Sequence, residues 1–376
     1  MAQLGNAESL KPGIPHWRFH IGRLANHFHM VNNLAEWHFA CRRSYNTQWI
    51  AETGELTPAE RDALAMFKDL ALRYPYGDRW LGRPFITIDD PEEAWREAGR
   101  VLGATDGTIT IADLSGGVAD APPDEAADRK VGPSGPSALA SGDADLASLL
   151  ATLGTFEPRF DRLWAVDEPR LRRLALHLED AVATPRVAAA VVVLERFLGT
   201  SFPHPLTIHL LLSRGVRFTA GGANEGPGHI TLEALETEDL DMAVETFLHE
   251  ASHLMEEPLF GPLFQQLSDH HELTRIRSRD GWDAHHLLRE SITGALAPNG
   301  CLSRILGRPV ADHAAVAPRL RMRGDARGAD LWTLTGLVLP LVEEYVRDGR
   351  AVDADLLDEA YSLFRTSFQE FASLTR

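Results

Sequence analysis

Apolar residues recur at Leu240, Ala243, Val244, Phe247, Leu248, Ala251, Leu254 and Met255. This i, i+3, i+4, i+7 spacing is the buried stripe of an amphipathic helix. Thr237 or Asp239 can cap its start, and Pro258 stops it. Upstream the pattern changes to strands. Residues 206–213 (LTIHLLLS) read as a buried strand and residues 216–220 (VRFTA) as a shorter one. Gly221 and Gly222 break the second. Gly226-Pro227-Gly228 then turns the chain into a third strand at residues 229–232 (HITL).

The rest of the chain reads mostly as helix. Ile21, Leu24, Phe28, Val31 and Ala35 mark one stripe. Thr57-Pro58-Ala59-Glu60 is a capping box with proline at the first helical position, and it opens a helix running to about Tyr74. Asp90-Pro91-Glu92-Glu93 repeats the device ahead of a helix ending near Gly103, and residues 108–114 (TITIADL) read as a strand. Further helices are expected near 168–182, 186–198, 329–348 and 353–373. Between 115 and 145 the chain is Gly, Ala, Pro, Ser and Asp with almost no large apolar residues, the composition of a disordered linker or surface insertion. The expected organisation is a mostly helical region at 1–114, the linker at 115–145, and a domain at 146–376. The expected fold class is α+β, predominantly helical. A small mixed β-sheet places an edge strand just ahead of the helix at 240–255, and a helical C-terminal subdomain follows.

Composition narrows the partners. The chain has 376 residues, 44% of them hydrophobic, and a formal net charge of −17. Nucleic acid and anionic membrane both need basic footprints, so neither is an expected partner. The two cysteines, Cys41 and Cys301, lie far apart and suit a reducing compartment. The opening residues lack the basic and apolar regions of a secretory signal. The longest apolar run, residues 187–194, is too short to span a bilayer. A cytoplasmic location is the expectation.

The chemistry is concentrated in His249-Glu250-Ala251-Ser252-His253. On a helix, positions i and i+4 share one face, so both imidazoles can hold the same ion while Glu250 projects beside it. A zinc ion, one per chain, is the expected cofactor, and a catalytic zinc takes three protein ligands. Glu256 and Glu257 are followed by Pro258, so the longer H-E-x-x-H-x-x-G-x-x-H pattern is absent. Four histidines, His16, His20, His27 and His38, have the spacing of one helix face.

A short sheet feeding through a G-H-I-T-L strand into an H-E-x-x-H helix resembles the zincin metallopeptidases, and the missing extension points to a gluzincin-like arrangement. The resemblance covers about residues 205–300. It implies hydrolysis of a peptide or protein substrate, with Glu250 as general base and His249 and His253 as metal ligands. It also implies that the strand of His229, Ile230 and Thr231 holds the substrate. The third ligand would be a glutamate on a later helix. Glu290 comes first, with His286 one turn before it as the alternative, then Glu272, Asp269 or His270. Tyr345, Tyr361, Arg289 and His229 are candidates to stabilise an oxyanion. Two other readings stay open. Glu250-x-x-His253 and Asp283-x-x-His286 are acid-x-x-His pairs of the kind used by di-metal carboxylate (ferritin-like) oxidases. A zincin-like interaction protein without catalysis is the other.

Overall fold

The computed structural model describes residues 17–37, 43–73, 77–103, 137–202, 205–212, 223–226, 229–234, 240–277 and 283–368. Packing divides the chain into two compact units, Trp17–Glu179 with Leu206–Glu250, and Asp180–Pro205 with Ala251–Arg376. These are not the consecutive domains expected from composition. The reason is a strand pairing: Trp17–His20 lies parallel to the strand that starts at Leu206, which draws the early residues into the unit that holds the sheet.

That unit contains four strands, β1 (Trp17–His20), β2 (Leu206–Leu212), β3 (Ala223–Gly226) and β4 (His229–Ala234), in the order β1-β2-β4-β3. The first three in this order run parallel, and β3 is antiparallel to β4. The fold is therefore predominantly helical α+β with a small mixed sheet, as the periodicity implies. Phe19, Ile208, Ile230, Leu210 and Leu232 are buried on one face of the sheet. On the same face Trp17 meets Phe247 edge-on, with ring centroids 4.6 Å apart. This contact seats the apolar stripe read from the sequence.

The strand ahead of the motif helix is not an edge. Residues His229 to Leu232 pair with β2 on one side and with β3 on the other. Their backbone groups are spent on the sheet, and His229, Ile230 and Thr231 are all nearly buried. They cannot take up an extended substrate as expected. The end position belongs to β3, which the glycines around it concealed in the sequence.

Among the described residues this unit also holds α1 (Arg23–Leu34), α2 (Arg43–Thr53), α3 (Pro58–Arg73), α4 (Gly77–Thr87), α5 (Pro91–Gly103), most of the long α6 (Ser137–Val182) and the first part of the motif helix, residues 240–250. Their core is aromatic. Phe28 stacks on Phe85 at 5.1 Å and meets Phe67 edge-on at 5.8 Å. Trp49 and Phe156 lie in the same cluster. Each such side chain contributes roughly 1.5–3 kcal/mol by leaving water. The capping box closes as predicted, with Thr57 N donating to Glu60 Oε2 at 2.7 Å and Glu60 N to Thr57 Oγ1 at 3.2 Å. The Glu60 carboxylate also accepts both Nε and Nη2 of the buried Arg159, at 2.9 and 3.0 Å, which ties α6 to the start of α3.

Several expectations meet the structure differently. Residues 108–114, 216–220, Thr237 and Asp239 lie outside the described residues. So do residues 115–136 of the expected linker, whereas residues 137–145 form the start of α6. A composition poor in large apolar residues still propagates as helix when a strong apolar stripe follows it, here from Leu146 and Leu149. His20 sits on β1 and His27 on α1, so the four histidines do not share a helix; His16 and His38 lie outside the described residues.

The other unit is helical. It holds α7 (Pro185–Leu198), the end of α8 (Leu240–Met255), α9 (Phe260–His271), a 3-10 turn at Leu273–Arg275, α10 (Ala284–Leu296), α11 (Cys301–Leu306), α12 (His313–Met322), α13 (Ala326–Asp348) and α14 (Ala354–Ser367). Four of these helices start alike. Asp283, Asp312, Asp325 and Asp353 each accept a backbone N–H of the first turn of α10, α12, α13 and α14. Close approach sets α10 against α13, because a Cβ at Gly294 would lie 3.3 Å from Thr335 Oγ1. Burial pushes the Cys301 thiol up to about 12, which makes it an inert core residue. Among the described residues no helix is long and apolar enough to cross a membrane.

The Arg159 guanidinium holds the Glu60 carboxyl down at about 2, against an ordinary value of 4.5. A depressed carboxylate contributes stability above its unfolded pKa and loses it as pH falls through the folded one. Stability of the native chain should therefore decline between about pH 4.5 and pH 2 on account of this pair. Glu60→Gln should lower the melting temperature at pH 7 and flatten that part of the curve. An unchanged acid limb in the variant would count against the pair.

Candidate metal centre

Helix α8 carries the motif because one side of it is apolar and the other is not. Phe247, Leu248, Ala251 and Met255 are buried along the stripe. His249 and His253 follow the helical repeat one turn apart, with His249 partly buried and His253 nearly fully so. Glu250, between them, is 8% exposed. Helix α10 supplies the third group. Its start is fixed by Asp283, whose carboxylate accepts the His286 N–H at 2.7 Å and the Arg277 guanidinium at 2.6 Å. One turn after His286 comes Glu290.

The donor atoms of His249, His253 and Glu290 all lie within 4.8 Å of one another. His253 Nε2 and Glu290 Oε1 are 3.4 Å apart. A tetrahedral zinc site with bonds of about 2.1 Å has donor-to-donor edges of roughly 3.4 Å. Two imidazoles and a carboxylate form a donor set that zinc accepts, so the residues present fit such an ion. Among the described residues this is the one group of three or more such side chains with that geometry.

The other ligand candidates are occupied elsewhere. His286 Nε2 lies 3.7 Å from Glu290 Oε1, beside the cluster rather than within it. Burial lowers its pKa, which favours a neutral ring. Glu272 caps the end of α9 in a left-handed conformation and pairs with Arg275 at 2.9 Å. Asp269 accepts from Gln265 Nε2 at 2.8 Å, and His270 is exposed with its ring against His271. Of the oxyanion candidates, Tyr345 donates its hydroxyl to Asp353 at 2.7 Å, Tyr361 stacks on His271, and Arg289 is bound to Glu256. His229 is buried in β4 against His209. Asp283, one half of the second acid-x-x-His pair, is spent on capping α10. The arrangement of a di-metal carboxylate centre is therefore not assembled among the described residues.

Sequence reading passed over Glu256. It is 1% exposed, just beyond the last residue of α8. His253 Nδ1 lies 3.2 Å from its Oε1, which also accepts the Thr293 hydroxyl at 2.8 Å, while Arg289 Nε binds Oε2. Burial alone would raise this carboxyl, but Arg289 and His253 bring it down to about 2. Burial likewise disfavours charge on His253, yet the flanking Glu256 and Glu290 carboxylates raise its pKa well above the ordinary value. The available signal was the spacing His253-x-x-Glu256, which puts both side chains on one helix face.

Protein-family models, curated proteins and solved structures were compared with the chain, and none matches it.

Removing one partner of a buried ion pair leaves the other charged and unpaired. Glu256→Ala should cost the metal-free protein roughly 3 kcal/mol in urea unfolding. Arg275→Ala, which breaks the exposed pair with Glu272, should cost under about 1 kcal/mol. Equal losses in the two variants would mean that the Glu256 cluster is not a buried network.

Proposed function

We propose that the chain is a zinc-dependent hydrolase, most simply a peptidase of the zincin kind, with His249, His253 and Glu290 as metal ligands and Glu250 as general base. The observation that carries this reading is the convergence of three donor atoms within 4.8 Å, two from one turn of α8 and one from α10. When bound, zinc would supply Lewis acidity, polarising a carbonyl and lowering the pKa of a water.

The chain's own residues divide the remaining work. Glu250 lies one residue after one ligand and three before the other, and in an H-E-x-x-H helix a glutamate there would serve beside the bound ion as general base. There it accepts the proton of the attacking water and returns it to the leaving amine. His286 Nε2 lies 3.7 Å from the Glu290 carboxylate, on a partly exposed ring. A peptide can add as a strand only where the sheet offers unpaired backbone. Among the described strands beside β4, that place is the outer side of β3. The net charge of −17 argues against a nucleic-acid substrate, which needs a basic footprint.

Metal content by mass spectrometry tests the ligands. The purified protein should hold about one zinc per chain, and His253→Ala and Glu290→Ala should each lose it, while His286→Ala keeps it. Glu250→Gln should retain zinc and lose at least about a hundredfold in peptide hydrolysis. Full activity in Glu250→Gln would overturn the mechanism. Two irons per chain would instead overturn the single-zinc reading in favour of a di-metal centre.

A further inference from the structure

We infer that Glu256 is a positioning residue of the metal centre. It holds the His253 imidazole with Nδ1–H on its own carboxylate and Nε2 turned toward Glu290, and it joins the helix carrying His253 to the helix carrying Glu290. This rests on the reading of His249, His253 and Glu290 as ligands.

The geometry argues the point in three steps. An ionised carboxylate only accepts hydrogen bonds, so the ring nitrogen 3.2 Å from Glu256 Oε1 must be the one bearing hydrogen. The other nitrogen, Nε2, faces Glu290 at 3.4 Å from its Oε1, and it is the atom a zinc ion would take, displacing the proton Nε2 carries toward that carboxylate in the metal-free chain. The same carboxylate is gripped from α10 by Arg289 and Thr293, the residue before Glu290 and the one three after it. One buried group therefore sets the ring orientation of one ligand and the placement of the helix that bears another. The chain is pinned as well: Gly261 N donates to Glu256 O at 2.7 Å, holding the turn that leaves α8. At 1% exposure Glu256 meets no substrate. It acts through His253, and partners of this kind typically change metal affinity by 10–100-fold.

The test is zinc affinity, measured by competition with a chromogenic chelator on the full chain, for the wild type, E256Q and T293V. Folding is checked by circular dichroism, and cobalt loading adds the visible spectrum of the bound ion. The expected result for E256Q is a folded protein that binds zinc 10–100-fold more weakly and shows a changed cobalt spectrum. T293V keeps the carboxylate and should lose less than about tenfold. A purely structural role would lower stability and leave the cobalt spectrum alone. Nitrogen NMR on histidine-labelled wild-type protein decides the matter even if E256Q does not fold. Zinc on Nε2 of His253 with a protonated Nδ1 supports the inference, and zinc on Nδ1 overturns it. E256Q with wild-type zinc affinity and cobalt spectrum also overturns it. A wild-type chain that binds no zinc would fell the metal centre itself, which is a different result.

Discussion

A carboxylate taken out of water must be repaid with charge and hydrogen bonds, and Glu256, 1% exposed beside the candidate metal centre, meets that constraint with three partners. An isolated buried carboxylate would cost several kcal/mol or take up a proton. Here a guanidinium, an imidazole and a hydroxyl converge on its two oxygens. None of these groups can move far without leaving the carboxylate unsatisfied. The geometry of His253 and the placement of α10 thus follow from one electrostatic requirement. Glu290 inherits its position from the same contacts, because its neighbours in the helix make them.

The three donor side chains reach one point by two kinds of ordering. The histidines are brought together by helical repeat alone, which needs nothing beyond α8. Glu290 arrives by tertiary packing, through the capping aspartate at Asp283, the close approach at Gly294 and the grip on Arg289 and Thr293. The competing residues Glu272, Asp269 and His270 are drawn into local pairs at the end of α9 and its cap. Sequence distance from the motif ranks these residues poorly, because the chain first completes α9 and a 3-10 turn before it returns.

What could be read from the sequence was local. The capping box at Thr57, the side-chain cap at Asp90, the stripe of α8 and the helix bearing Glu290 depend on neighbours three or four residues away, and they form locally. Glu290 was legible as a candidate for the cluster with His249 and His253 because it falls on a helix with an apolar face and one polar turn. Glu256 was not, since its meaning lies in Arg289 and Thr293 more than thirty residues on. The rank of β4 in the sheet was missed for the same reason. A strand's edge or interior status belongs to its partners, and β3 is four residues containing a glycine, too short and too polar to announce itself. The helix α4 carries Gly82 and Pro84, and α9 has Gly261 and Pro262 in its first turn, residues that locally disfavour helix. Packing overrode those local signals.

The pairing of β1 with β2 sets a clock on synthesis. Trp17 lies opposite Leu206, 189 residues later in the chain. A ribosome adding about 5–20 residues each second takes roughly ten to forty seconds to make the stretch between them. Throughout that time Trp17 and Phe19 lack the β2 strand they pair with, and Trp17 lacks Phe247 of α8. The helices α1 to α6 can collapse around their own aromatic cluster as they emerge, since those contacts close over shorter spans. The sheet cannot. A nascent chain halted before residue 206 would be a helical body with an unsatisfied apolar strand at its front, the kind of surface that chaperones hold. Completion of the sheet, and with it the seat of α8, is therefore a late event in the life of each molecule.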